Sequence, residues 1–279
     1  MKVTAQKDEV VITIDTLSND IYMLTGQGGN IGIYVGEEKV FMIDDQFERL
    51  SPKIRTAIAS LTSKPIAFLF NTHMHGDHTG GNVNFNGDET ILIAHNNVRN
   101  SLSVKLANNP ELGVEILPEI TFSDAITLYD ADETILAFHV HNAHTDGDAM
   151  IYFTKNNILH MGDTYFSGRY PYIDLKSGGS VDGYISAHKK ALLLINDDTI
   201  IIPGHGRPST KKELSAYTTM LETIKTIILN AIKDGKTLEE VQSNKQLTSA
   251  YDATHGGGFI NPEKIRATFY NSLKAEVQE

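Results

Sequence analysis

Residues 71–82 read NTHMHGDHTGGN, and three histidines and an aspartate fall between His73 and His78, directly after the apolar run IAFLF at 66–70. His73 and His75 are two positions apart, so on extended backbone their imidazoles point the same way. Gly76 lets the chain bend tightly, after which Asp77 and His78 can start a helix or turn and reach a neighbouring point. One short segment can thus offer ligands to two adjacent metal ions. Imidazole suits zinc, iron and similar ions, and carboxylate complements it. A lone histidine is usually structural, but this density at the end of a buried strand is the pattern of a metal site.

Two coordination shells need more ligands than one segment holds. The arrangement of strand, then polar turn beside a glycine, recurs three times: NAHTDGD offers His144, GDT offers Asp163 and GHG offers His205. The C-terminal ends of strands are where layered α/β sheets host ligands. His141 is the nearest rival to His144, which is preferred because it lies beyond its strand. Asp146 and Asp148 read as turn residues or partners of a ligand. His95, His139, His141, His160, His188 and His255 read as structural or surface residues.

The order HxHxDH, distant His, Asp in GDT, His in GHG resembles the metallo-β-lactamase superfamily, from roughly residue 20 to residue 207. The resemblance implies one metal held by His73, His75 and His144, a second held by Asp77, His78 and His205, and Asp163 bridging them. It also implies that Asp44, at the end of KVFMIDD, supports the metal-binding loop from behind. The implied cofactor is two zinc ions per chain, with iron or manganese as alternatives.

Two metals about 3.5–4 Å apart can share a water and lower its pKa toward about 7. The resulting hydroxide would attack without a serine or cysteine nucleophile, with Asp77 orienting it or receiving its proton. The chain has no cysteine and no GxSxG elbow. The expected reaction is hydrolysis of an amide, lactam, ester, lactone or thioester, with β-lactamase-like chemistry among the options. Asp163 aligns the chain with glyoxalase II-like and lactonase-like members. The spacing from His144 to His205 leaves no room for the inserted domain of nucleic-acid-processing members. Two further stretches resemble a β-lactamase-like or cyclase-like branch. GQGGNIG (26–32) is expected to be a flexible flap near the metals. GDTYFSGRYPYID (162–174) places Arg169 and Tyr170 to bind substrate, with a bracing salt bridge as the competing role for Arg169. The alternative functions are a mononuclear iron dioxygenase acting on sulfur compounds and a non-catalytic, metal-stabilised binding protein.

The elements that must position these residues are legible in outline. VVITI (10–14), DIYMLT (20–25), IGIYVG (31–36) and KVFMID (39–44) are short and rich in β-branched and aromatic residues, and they read as strands. SPKIRTAIASLTSK reads as an amphipathic helix with Ser51 as N-cap and Ile54, Ile58 and Leu61 on one face. IAFLF reads as a fully buried strand, TILIA (90–94) as another, and 97–106 as a helix. Residues 108–122 read as loop. Four strands follow between 125 and 161, then a long loop at 167–180, a helix at 181–195, the strand TIIIP (199–203), and helices at 211–234 and 262–275. Strand-rich blocks open each half and helices close it. The expected fold is therefore an αββα four-layer sandwich, two mixed sheets flanked by helices, in a single domain over 1–279.

Composition bounds the partners. Of 279 residues 41% are hydrophobic, enough for a large core, and 24 basic against 35 acidic residues give a net charge of −11. That field repels phosphate backbones, so no nucleic-acid partner is expected. No apolar stretch approaches the roughly 18–20 residues that span a bilayer. A small-molecule substrate is the expected partner, and nothing in the sequence sets the oligomeric state. MKVTAQKDEVVITI has no apolar signal core. The expected location is periplasmic if a signal peptide has been removed and cytoplasmic otherwise.

Overall fold

Every central strand of this chain is apolar on both faces, which requires a covering layer on each side. The computed structural model describes residues 9–87 and 89–278. The first eight residues of the segment read for an export signal therefore lie outside the described residues. Among the described residues no helix is long and apolar enough to cross a membrane.

The first sheet has the order β1 (Thr13–Thr16), β2 (Ile21–Thr25), β3 (Ile31–Val35), β4 (Val40–Ile43), β5 (Ile66–Asn71), β6 (Ile91–His95), β7 (Ile120–Phe122). Its first four strands pair antiparallel and the rest parallel. The second sheet runs β13 (Ser209–Thr210), β12 (Ile200–Ile202), β11 (Ile158–His160), β10 (Ala149–Phe153), β9 (Glu133–His139), β8 (Ala125–Asp130). Only its β11–β12 pair is parallel. Both sheets are thus mixed.

Strand alternation decides what each layer contains. Phe41 and Ile43 of β4 point between the sheets, where they meet Ile151 and Phe153 of β10. Val40 and Met42 point the other way, against Ile54 and Ile58 of α1 (Ser51–Leu61). On the far side, Met150 and Tyr152 pack under α5 (Val181–Leu194), α6 (Lys211–Lys233) and α9 (Pro262–Gln278). Each buried side chain of this kind contributes about 1.5–3 kcal/mol. The result is helix, sheet, sheet, helix.

Some local expectations change. Ser51 is the first helical residue rather than the cap, because a 3₁₀ turn at Glu48–Leu50 leads straight into α1. Only Leu69 and Phe70 of IAFLF are buried, the preceding three residues being partly open. Within the loop at 108–122, Phe122 is buried and pairs with His95, which makes Ile120–Phe122 an edge strand too short to carry a sequence pattern. Between α6 and α9 lie two short helices, α7 (Leu238–Ser243), entered by a Thr237–Glu240 capping box, and α8 (Ser249–His255).

Candidate metal centre

β9, β11 and β12 run the same way, so their C-terminal ends open onto one edge of the second sheet. Turns leaving those ends carry His144, Asp163 and His205, and the turn leaving β5 carries His73 and His75. That turn ends in a short helix, α2 (Gly76–Thr79), with Asp77 and His78 in it. All seven residues meet. The inner atoms of His73, His75, His144 and Asp163 lie within 4.8 Å of one another, as do those of Asp77, His78 and His205.

Asp163 stands between the two groups. Its Oδ1 is 3.0 Å from His78 Nε2 and 3.3 Å from His205 Nε2, while its Oδ2 is 3.6 Å from His144 Nε2 and 3.8 Å from His73 Nε2. His205 Nε2 is also 3.4 Å from Asp77 Oδ2.

The donor set fits cations on two independent observations. His73 Nε2, His78 Nε2 and Asp163 Oδ1 are buried without a well-directed hydrogen-bond partner, as atoms aimed at a shared point would be. In addition, His75 donates from Nε2 to Asp174 Oδ2 (3.1 Å) and His144 donates from Nδ1 to the Tyr172 carbonyl (2.7 Å). Their other nitrogens, His75 Nδ1 and His144 Nε2, are then lone pairs facing each other at 2.9 Å, an arrangement that needs a positive charge between them.

Electrostatics divides the cluster. Burial, reinforced by the neighbouring imidazoles, holds His73 well below the ordinary histidine value. Burial likewise takes His144 to about 4. For His78 burial works the same way, but Asp163 and Asp44 outweigh it and hold the ring well above its usual value. His205 is raised to about 9 because Asp163 and Asp77 overcome its burial. Asp163 itself is held well below the carboxylate range, since His78 and His205 overcome the cost of burying it. The carboxylates thus favour positive charge beside His78 and His205, charge that bound cations would supply.

A shell of outer partners orients the rings. Asp44, fully buried and at φ 61°, accepts from the Thr72 amide (2.8 Å), from Thr72 Oγ1 (2.8 Å) and from His78 Nδ1 (2.7 Å). Thr72 Oγ1 in turn accepts from His73 Nδ1 at 3.0 Å. Asp148 takes the backbone amides of His144 and Thr145, at 2.6 and 2.8 Å, and so clamps the His144 turn. Among the remaining histidines, His188 bonds the Thr164 carbonyl and His95 stacks on His139, both outside the cluster.

Sequence reasoning missed Asp174 and Asn30. Asp174 lies in the YPYID stretch, and the signal was the need of a metal-ligating imidazole for an outer acceptor. Asn30 contradicts the expected flexible flap at 26–32. Its Nδ2 donates to the carbonyls of Pro203 and Gly206, which flank His205. Gly29 donates to the Asp77 carbonyl, and a Cβ on it would come within 2.0 Å of the His78 ring. Gly28, Gly29 and Asn30 are buried, so this segment is a strut between the two ligand-bearing turns.

Above the cluster is a cavity of about 480 Å³ whose floor includes His75, Asp77, Asp163 and His205. Arg169 and Tyr170 both line it. The Tyr170 hydroxyl, however, donates to Asp252 Oδ1 (2.8 Å), which leaves only its ring for the cavity. Arg169 forms no ion pair among the described residues, so the bracing salt bridge is not found there.

The chain belongs to the Metallo-beta-lactamase superfamily: the family profile matches residues 24–205, two thirds of the sequence. The particular relatives are distant. The 2,4-dinitroanisole O-demethylase subunit alpha of Nocardioides sp. (strain JS1661) is 23% identical over 188 residues, 66% of this chain and 54% of that protein, so the chain spans about half the length of this curated relative. Among solved structures, DIM-1 metallo-beta-lactamase superposes with a TM-score of 0.65 at 20% identity, covering 77% of this chain and 99% of its own. The stereoselective inverting sec-alkylsulfatase Pisa1 from Pseudomonas sp. gives 0.73 at 13% identity, covering 93% of this chain and 50% of its own. At these identities the structural likeness is one of fold.

Proposed function

We propose that the protein is a two-metal hydrolase, with zinc as the expected ion, acting on an amide, lactam, ester, lactone or thioester bond. The observation that carries this reading is Asp163, whose two carboxylate oxygens each face a different histidine group. His73, His75 and His144 would hold one ion and Asp77, His78 and His205 the other. When bound, such a pair supplies an acidified water and positive charge for the developing oxyanion.

The chain's own residues do the rest. Asp174, Asp44 and the Tyr172 carbonyl hold the imidazoles in one tautomer and one orientation. Asp77 is the most open of the seven, at 30% side-chain exposure, and its Oδ1 has no hydrogen bond among the described residues. That oxygen orients the attacking water and takes up its proton.

Metal analysis of protein purified without added metal, followed by a panel of β-lactams, lactones, thioesters, phosphodiesters and sulfate esters, tests the reading. Since one relative is named for O-demethylation of 2,4-dinitroanisole, an aryl ether joins the panel. About two metal ions per chain and turnover of a panel member are expected. One iron per chain with no hydrolysis would overturn the proposal in favour of the dioxygenase.

A further inference from the structure

The cavity above the seven residues has walls of one chemical kind. Phe47, Phe166, Tyr172, Phe259 and Ile260 face it, and Arg169 is the cation among its lining residues apart from the histidines of the floor. The base of Arg169 is held rigidly while its head is free. Tyr217 Oη donates to the Arg169 carbonyl (2.9 Å), and the next amide, Tyr170 N, donates to the His255 carbonyl (2.8 Å). The methylene stem lies against Gly258, where a Cβ would meet three of its carbons at 3.2–3.4 Å. Its guanidinium has neither a hydrogen bond nor an ion pair among the described residues, although the chain carries a net charge of −11 and offers many carboxylates.

Two of the aromatic walls carry cations over their rings. Arg49 sits 4.8 Å from the ring centroid of Phe47, and Lys264 Nζ sits 4.5 Å from that of Phe259. Phe259 is 74% exposed and meets Tyr172 in a T-shaped contact at 5.7 Å. One cation lines the cavity and two more lie over its wall rings, charges that favour an anion beside those walls, while Asp77 and Asp163 disfavour one at the floor. A volume of about 480 Å³ is in the range of pockets that enclose a small organic molecule.

We propose that this cavity selects aromatic compounds bearing an anionic group, the ring lying among Phe47, Phe166, Tyr172 and Phe259 and the anion received by Arg169. The proposal rests on the hydrolase reading only for the fate of the substrate, since it concerns what is bound. A guanidinium pairs with an oxyanion through two parallel N–H donors, so the anion is oriented as well as attracted. With the anion fixed at the rim, the opposite end of the molecule is directed toward the floor.

Binding to the metal-loaded protein, measured by calorimetry with three probes, tests this. Phenylacetate should bind at least about tenfold tighter than its uncharged isostere phenylacetamide, as a charge-assisted bond implies. Phenylacetate should also bind several-fold tighter than cyclohexylacetate, which has the charge without the ring. Arg169→Gln should abolish the preference over phenylacetamide, and Arg169→Lys should keep part of it. Phe259→Ala should weaken phenylacetate and phenylacetamide by the same factor. A preference for the anion that survives Arg169→Gln would put the carboxylate on the cations instead and overturn the assignment. Equal binding of phenylacetate and cyclohexylacetate would overturn the aromatic part. Metal content and panel turnover of the unaltered protein test the hydrolase reading separately, so the two can fail independently.

Discussion

The two groups of side chains on either side of Asp163 are held with different firmness. In the group of His73, His75 and His144, every ring has its outer nitrogen tied, to Thr72 Oγ1, Asp174 Oδ2 and the Tyr172 carbonyl. In the group of Asp77, His78 and His205, only His78 is tied, to Asp44. His205 instead stacks on Phe166 at 5.1 Å and is 19% exposed, and Asp77 is 30% exposed. The first group is therefore preorganised on all three ligands and the second on one. Preorganisation lowers the ordering cost of binding, so the first group should bind a cation more tightly, and the second should be the side open to substrate and solvent.

The largest expected effect comes from removing the residue the two groups share. Asp163→Ala should lower turnover of any panel substrate by more than about a hundredfold, beyond what loss of an outer partner costs, with the circular dichroism unchanged. Unaltered turnover would show that the groups do not act together. Asp44→Asn should blur the difference, because Asp44 reaches His78 directly and His73 through Thr72. Metal affinity on both sides should drop by about ten- to a hundredfold, read by competition with a calibrated chelator. Asp174→Asn should sharpen the contrast from the other direction, costing about tenfold on the first group alone. A comparable loss on the second group would contradict the separation. Finally, graded chelation of the unaltered protein should release metal in two steps, the ion of the His205 side leaving first. A single step would mean that the difference in bracing carries no difference in affinity.

How much of this was legible depends on whether the determinant is local. β5 and the turn after it could be read directly, since an apolar run followed by closely spaced imidazoles is a property of contiguous residues. The order of strand-rich blocks followed by helices announced the four layers, and the unbroken apolar runs of β4 and β10 are buried on both faces within them. Misreadings arose where a segment's role is set by distant neighbours. GQGGNIG has the composition of a mobile loop, yet Asn30 and Gly29 are fastened by partners at Pro203, Gly206 and Asp77. Tyr170 lines the cavity as expected of a substrate contact, but its hydroxyl is held by Asp252, on a helix the sequence did not announce, so that only the ring is offered. Asp174 was one of several acidic residues in a polar loop, and its proximity to His75 is a matter of chain path.

By itself the sequence determined the kinds of atoms available, imidazole nitrogens and carboxylates at strand ends, and the layered arrangement that the order of its strand and helix segments implies. Only the tertiary structure decided how those atoms are shared: that Asp163 turns one oxygen to each group, that Asp44 and Asp174 back particular rings, and that Arg169 faces the cavity without a partner. The physical reason is that side-chain type and periodicity are fixed along the chain. Distances of about 3 Å between residues far apart in sequence follow instead from the packing of two sheets and their connecting loops, which no single segment encodes.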